Sequence, residues 1–354
     1  MKKVIVFDVA ASSGGALSVL KSFHCAAKTA KDIQWVFILS APHVEESDNI
    51  EVKVYSWIKK SRLHRLFFDY FVAPSIVKAE KTARILSLQN TNVPFVKNKQ
   101  IVYVHQSIPF CDIKFSIKKN PIEWLYQNVI GRFILKSIRK ADTIVVQTNW
   151  MKAAVVEKTG VAESKILVDP PTVNISHPLR HEYSQTTGKR FFYPAAYVSY
   201  KNHAVIIRAA QLLCQQGVED FQVIFTADTV GPLTDTVQKH IRCVGTQPFE
   251  KVQQLYAQCV LLFPSLLETF GLPLVEAAIA NAPIVAANKP YAKEVLSGYE
   301  NAAFFDPHDP VQLAQIMKQH ICADYLWREQ NSDSFTRRYT GFGWNTLLNY
   351  IKES

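Results

Sequence analysis

Two carboxylates, Glu268 and Glu276, stand eight positions apart in the run P-S-L-L-E-T-F-G-L-P-L-V-E-A-A-I-A-N-A-P-I-V-A, residues 264–286. Gly271 and Pro273 lie between them. The apolar tetrapeptide Val260-Leu261-Leu262-Phe263 just before reads as a buried parallel strand. Pro273 suits the first position of a helix, where a missing N–H costs nothing. That places Glu276 in the first turn, where the helix dipole favours a negative charge. Asn281 follows the helix and tolerates a left-handed turn, and Ile284-Val285-Ala286-Ala287 is the next strand. The loop from Glu268 to Leu272 is then at a strand's carboxyl end with free N–H groups aimed at a cleft. That arrangement suits an anionic ligand such as a nucleotide diphosphate.

Three further positions carry residue types able to act on such a ligand. Lys201 follows the strand Phe191-Phe192-Tyr193 and a polar loop, and it projects a cation at the strand ends. Asn202 is placed to cap the helix that begins near His203. Gly14 and Gly15 follow the first strand in S-S-G-G-A, where glycine lets backbone approach a ligand closely. The string lacks the G-x-G-x-x-G dinucleotide fingerprint, and a plain tight turn explains it too. His105 ends the strand Ile101 to Val104, where an imidazole can donate to a sugar hydroxyl or shuttle a proton.

The elements that must position these groups alternate strand and helix twice. Val4–Phe7, Trp35–Leu39, Ile101–Val104 and Thr143–Val146 are strands of the first half, with a helix from Ala16 to Ala27. Phe191–Tyr193, Val223–Phe225, Ile241–Val244, Val260–Phe263 and Ile284–Ala287 are strands of the second. Two such blocks predict an α/β protein of two doubly wound parallel sheets. The polar, Pro-bearing stretch from Pro170 to Lys189 marks the boundary.

The block around Glu268 and Glu276, with Phe270-Gly271-Leu272-Pro273 inside it, resembles the E-x7-E signature of the family 4 (group 1) retaining glycosyltransferases. The resemblance covers most of residues 190–310. It implies the GT-B fold: two Rossmann-like domains facing a cleft, the acceptor-side one over 1–180 and the nucleotide-sugar one over 181–335. A C-terminal helix over 336–354, entered by Phe342-Gly343-Trp344, is then expected to cross back to the first. The resemblance also implies roles. Glu268 touches hydroxyls of the donor sugar, Glu276 holds the nucleotide ribose, and Lys201 contacts the diphosphate. His105 lies near the sugar, the Gly14-Gly15 loop near the diphosphate and acceptor. Ser265 matches the P-S-x-x-E pattern, and Val244-Gly245 with Glu250 to Cys259, Val252 standing in place of a leucine, resembles a stretch that commonly flanks the base. Glu294 matches a frequent glutamate. With Phe270, Gly271 and Leu272 these residues make up the expected donor site, and Glu268, His105 and Lys201 its catalytic part. Two departures are visible. Asn281 replaces a glycine, and Ala195 stands where the family usually has an arginine paired with the lysine.

Composition sets the frame. The 354 residues are 48% hydrophobic, enough to bury two cores. No apolar run approaches the length of a membrane span. Met1-Lys2-Lys3 mimics the start of a signal peptide, but Asp8 interrupts the apolar run, which reads as a first strand. The six cysteines are scattered without C-x-x-C, as expected of reduced thiols in a cytosolic protein. No metal-ligand cluster and no D-x-D occurs, so no metal cofactor is expected. Residues 1–180 carry 26 Lys and Arg against 14 Asp and Glu, whereas residues 181–354 carry 14 against 16. Such asymmetry points to an anionic partner of the first half. The segment Tyr55 to Val72 places Trp57, Leu63, Leu66, Phe67 and Phe71 at helical spacing among Lys59, Lys60, Arg62 and Arg65. It fits a membrane interface or a helix packing its apolar side inward. A second basic-aromatic segment runs from Lys114 to Lys140. No nucleic-acid motif occurs.

These readings converge on a retaining, metal-independent glycosyltransferase. Its expected partners are a nucleotide-sugar donor, a lipid-linked glycan acceptor and an anionic membrane surface met by the N-terminal domain. Its expected place is the cytoplasmic face of the inner membrane, in bacterial surface polysaccharide synthesis. The alternatives are a sugar-nucleotide epimerase of GT-B fold and a non-catalytic nucleotide-sugar-binding subunit.

Overall fold

The structure is a computed structural model that describes residues 2–12, 14–82, 84–173, 179–328, 333–340 and 343–353. It divides into two compact units, Met1–Thr172 with Phe342–Ser354, and Val173–Gly341. Each is a parallel α/β sheet, and the fold class is the one the alternation predicts.

Among the described residues the first unit holds seven strands: β1 Lys2–Asp8, β2 Ile33–Leu39, β3 Ile50–Val54, β4 Arg84–Ser87, β5 Lys99–Val104, β6 Thr143–Val146 and β7 Ile166–Val168, in the order β3-β2-β1-β4-β5-β6-β7. The second holds six: β8 Arg190–Tyr193, β9 Gln222–Phe225, β10 Ile241–Cys243, β11 Val260–Phe263, β12 Ile284–Ala287 and β13 Ala302–Phe305, in the order β10-β9-β8-β11-β12-β13. Strand order reverses between β1 and β4, and again between β8 and β11. At such reversals the following loops part and leave a crevice at the carboxyl ends of the strands.

The core strands are apolar without interruption, as two covered faces require. All four residues of β11 and of β12 are buried. Helix Asn345–Glu353 packs Leu347, Leu348 and Ile351 into the first unit's core beside Phe23, Trp35 and Tyr103. Trp344 precedes it with φ +70°, and its Nε1 donates to Ser22 Oγ at 2.9 Å. Asp169 Oδ2 accepts from the Leu347 N–H at 3.0 Å, satisfying a donor of the helix's first turn. The expected single helix over 336–354 is therefore two: Asp333–Tyr339 belongs to the second unit and Asn345–Glu353 to the first. Phe342 lies outside the described residues.

The basic segment after β3 forms a 3₁₀ turn Ser56–Lys60, a helix Arg62–Phe67, a π-helical stretch Phe68–Val72 and a helix Ala73–Glu80. Ile58, Phe68, Ala73 and Val77 face the core. Of the residues picked out by the periodicity, Trp57 packs against that core, but Leu63, Phe67 and Phe71 are 76%, 53% and 65% exposed, and Leu66 is exposed too. Ile117, Ile122 and Phe133 of the second basic segment are likewise exposed. Among the described residues no helix is long and apolar enough to cross a membrane.

Candidate donor site

The loops after β8 and β11 lie on either side of the strand reversal, and a buried hydroxyl ties them. Tyr193, the last residue of β8, is fully buried. Its hydroxyl donates to the Lys201 carbonyl at 2.9 Å and lies 2.8 Å from Ser265 Oγ. Tyr291 donates to the Ser265 carbonyl at 2.6 Å, and the Leu266 N–H donates to the Tyr200 carbonyl at 2.8 Å. Asn202 sits at the start of helix His203–Gln215 in a left-handed conformation, φ +57°. Its side chain does not cap that helix, as the sequence suggested. The Nδ2 donates instead to the Pro307 carbonyl at 2.8 Å and the Pro264 carbonyl at 3.3 Å, because αL backbone turns the amide away from the helix N–H groups.

This brace holds the two central charges together. Lys201 Nζ lies 2.5 Å from Glu268 Oε1, with side chains 20% and 14% exposed. A mostly buried ion pair holds both side chains in place, with its cation able to meet an incoming anion of higher charge. Ala195, where a second cation was missed, is buried. Ser265 is fully buried, so its hydroxyl positions the loop.

Beyond Glu268 the chain turns at Gly271, whose φ of +95° precedes helix Leu272–Ile279. A Cβ there would meet Leu274 Cδ1 at 3.2 Å, so both conformation and space call for glycine. No side chain caps this helix. Phe270 is buried edge-on against Tyr339 at 5.6 Å. Leu272 is half-buried. Because the helix starts at Leu272, Pro273 is its second residue and Glu276 its fifth. Glu276 is thus in the second turn, where the dipole has faded. What holds it is Tyr256, whose hydroxyl donates to Glu276 Oε2 at 2.8 Å. Burial raises the Glu276 carboxyl above the ordinary range, and the Tyr256 hydrogen bond opposes that. Oε1 has no hydrogen bond among the described residues and stays available to a ligand hydroxyl. Val244 follows β10, its N–H donating to the Phe225 carbonyl at 2.9 Å.

The first unit carries the other candidates. Gly14 has φ +59° and opens helix Gly14–Thr29, and a Cβ on Gly14 or Gly15 would meet nothing within 4 Å. The preceding loop is held by Asp8 Oδ1, which accepts from the Ala11 N–H at 3.2 Å, and by Lys59, which donates to the Ala11 carbonyl at 3.1 Å. Ser13 lies outside the described residues. His105 directly follows β5, with Nε2 2.8 Å from the Leu88 carbonyl. The structure therefore brings together Lys201, Ser265 and Glu268, places Glu276 on the helix that follows, and puts His105, Gly14 and Gly15 on the other unit. Tyr193 and Asn202 are the parts of the brace that the motif did not supply. Tyr193 read as the end of an apolar strand, and only its place one residue before the polar loop hinted at more. Among the described residues no group of three or more His, Cys, Asp or Glu side chains is placed to hold a metal ion.

Comparison with known proteins bears on the family and the fold. Residues 180–324 match the glycosyl transferases group 1. The serotype-specific mannosyltransferase WbdA of Escherichia coli is 23% identical over 309 residues, covering 77% of this chain and 36% of its own length. The chain thus spans about a third of that relative. The O-antigen chain mannosyltransferase RfbU of Salmonella typhimurium is 23% identical over 260 residues, 71% of this chain and 69% of its own. Among solved structures, the sucrose-phosphate synthase of Thermosynechococcus elongatus superposes with a TM-score of 0.73 at 14% identity, covering 100% of this chain and 98% of that one. HepE of Anabaena in complex with UDP-glucose gives 0.69 at 17% identity, covering 100% and 99%. Such low identities establish the fold, which is GT-B. Residues 180–324 thus match the glycosyl transferases group 1, the family whose signature the Glu268–Glu276 block resembles.

Proposed function

We propose that this protein is a retaining, metal-independent glycosyltransferase that moves a hexose from a nucleotide-sugar donor to a lipid-linked glycan acceptor. The observation that carries the reading is the Lys201–Glu268 pair, braced at the β8/β11 reversal within the family-matched residues. In this reading Lys201 and the N–H groups of the Gly271–Leu272 turn offset charge on the departing diphosphate. Glu268 accepts hydroxyls of the sugar, and Glu276 Oε1 accepts from the ribose. No side chain acts as nucleophile. The acceptor hydroxyl attacks from the face the diphosphate leaves, and a phosphate oxygen takes its proton. Catalysis is then positioning plus leaving-group stabilisation.

The likeness to WbdA, a serotype-specific mannosyltransferase, and to RfbU, an O-antigen chain mannosyltransferase, supports a mannosyl or related hexosyl transfer in O-antigen, capsule or exopolysaccharide synthesis. UDP-glucose bound to HepE supports a nucleotide-sugar donor. Exposed Leu63, Leu66, Phe67 and Phe71 beside Lys59, Lys60 and Arg62 support reversible attachment of the first unit to an anionic cytoplasmic leaflet, where a lipid-linked acceptor resides. The test is incubation with labelled GDP-mannose, UDP-glucose and UDP-galactose and membrane lipid extract, with and without EDTA. Transfer to lipid in EDTA with the anomeric configuration kept is the expected result. Release of an epimerised free sugar, or an absolute need for a divalent cation, would contradict it.

A further inference from the structure

Tyr256 differs from the other buried tyrosines of the second unit in what its hydroxyl meets. Tyr193 donates to the Lys201 carbonyl, Tyr291 to the Ser265 carbonyl, Tyr299 to the Ala282 carbonyl and Tyr339 to the Val295 carbonyl. A carbonyl is all that a buried hydroxyl requires. Tyr256 donates instead to Glu276 Oε2 at 2.8 Å, from helix Phe249–Gln258 to helix Leu272–Ile279. Tyr256 is 1% exposed, and its ring meets Phe192 of β8 edge-on at 5.6 Å, so the hydroxyl has a fixed place. Glu276 is half-buried, and a glutamate free to turn would carry both oxygens to water. The bond holds Oε2 inward and leaves Oε1 without a partner among the described residues. One residue ties the two helices. The His181 N–H donates to the Ala280 carbonyl at 2.7 Å, at the end of the helix that carries Glu276. Its ring Nδ1 lies 2.9 Å from the Tyr256 carbonyl, in the last turn of the other helix. A carbonyl only accepts, so Nδ1 carries the hydrogen. Both carbonyls are of the kind a helix end leaves without an intrahelical donor, and one histidine serves both.

We propose that Tyr256 is the positioning residue of Glu276, and that His181 holds the two helices at the spacing this needs. Tyr256 commits Oε2 to the protein and presents Oε1 to a donor on the ligand. This rests on the reading that Glu276 meets the ribose, and it deepens that reading. Discrimination between a ribose and a sugar without its 2′ and 3′ hydroxyls then depends on a buried tyrosine that does not itself touch the nucleotide.

The test is calorimetric titration of the full-length protein with UDP and GDP and with their 2′,3′-dideoxy forms. The wild type should bind the preferred ribonucleotide more tightly than its dideoxy form by about tenfold to a hundredfold, the weight of hydrogen bonds to a charged group. Tyr256→Phe keeps the ring against Phe192 and removes the hydroxyl. It should cut that ratio about fivefold, the weight of one ordinary hydrogen bond, by weakening the ribonucleotide and leaving the dideoxy form unchanged. Added to Glu276→Ala, which no longer discriminates, it should change neither affinity. His181→Ala should lower the ratio in the same sense, and His181→Asn, whose amide can donate where Nδ1 does, should restore it. Equal weakening of both nucleotides in Tyr256→Phe is the mark of a merely structural residue and would overturn the proposal, as would an unchanged ratio. Should Tyr256→Phe fail to fold, a wild-type ratio in His181→Ala overturns it by the same measurement. A wild type that binds both forms alike would overturn the ribose reading and this proposal with it, and so is told apart from a failure of Tyr256 alone.

Discussion

The strand ends of the second unit are furnished with side chains that meet one another. Lys201 pairs with Glu268, Tyr193 with Ser265, and Tyr256 with Glu276. Around the candidate residues of the first unit side chains hold backbone, while beside them Gln147 Nε2 donates to the Tyr103 hydroxyl at 2.9 Å. Asp8 and Lys59 hold Ala11, His105 holds Leu88, and Gly14 and Gly15 leave open space above them. The surfaces differ in the same sense. Residues 1–180 carry a large excess of positive charge and present exposed Leu63, Phe67 and Phe71, whereas residues 181–354 are close to neutral. One sheet architecture therefore supports two kinds of site. The second is built around charges of fixed spacing, and the first around side chains that hold loop backbone.

The difference extends to pH, and here the expected effect is largest. In the second unit burial depresses His203 to about 4 and His320 to about 3, and lowers His181 as well, while Glu276 is raised. These histidines are neutral when folded and take up protons once unfolded. Stability is whole above the unfolded value and is lost as pH falls below about 6.5, by about 2 kcal/mol per fully buried histidine near pH 5. In the first unit Asp8 is raised to about 7 and Asp169 to about 6, while His24 and His105 are lowered. Raised carboxyls act with the opposite sign, contributing stability at low pH that is lost as pH rises through about 4 to 7, so the two effects offset. Thermal melts with proteolytic mapping should show the second unit opening first near pH 5. Equal opening of both units would remove the contrast.

Next in size is Lys201→Ala, which should lower kcat by about 10²–10³, the usual range for losing a leaving-group donor, and also lower Tm because Glu268 is left unpaired. A loss under tenfold would make the buried pair a structural one. The triple variant Lys59→Glu/Lys60→Glu/Arg62→Glu tests the first unit. Each cation near an anionic leaflet contributes about 1 kcal/mol, so sedimentation with anionic vesicles should fall by two orders of magnitude or so, and wild-type binding should weaken in high salt. Equal recovery in the supernatant with neutral and anionic vesicles would assign the charge to something else. Smallest is Tyr193→Phe, which removes the hydroxyl that ties the two loops. About 1 kcal/mol of stability should go, measured by urea unfolding, with a modest rise in KM.

Sequence made the second unit's site readable because its chemistry is local. Glu268, Gly271 and Glu276 lie on one loop and helix, and the apolar runs of β8, β11 and β12 announce the strands. Where residues far apart cooperate, the sequence was silent. Tyr193 and Ser265 are 72 positions apart, and a tyrosine closing an apolar strand reads as core. The helix start moved by one residue because Gly271 takes a positive φ, which carried Glu276 out of the first turn. Four strands went unread for physical reasons. β3 and β7 are edge strands, β3 with Glu51 and Lys53 interleaved, and β13 is an edge strand of only four residues. β4 is central but begins with a buried Arg84, whose charge breaks the apolar run and whose guanidinium donates to the Ile351 carbonyl at 3.1 Å.

The central claim is that the nucleotide is held by the second unit at the β8/β11 reversal. Calorimetric titration of UDP and GDP into the wild type and Glu276→Ala, in EDTA, tests it without knowledge of the sugar or the acceptor. Loss of the open carboxylate oxygen should weaken binding of the preferred nucleotide by about 1.5–3 kcal/mol, the weight of hydrogen bonds to a charged group. Unchanged affinity in Glu276→Ala would contradict the account.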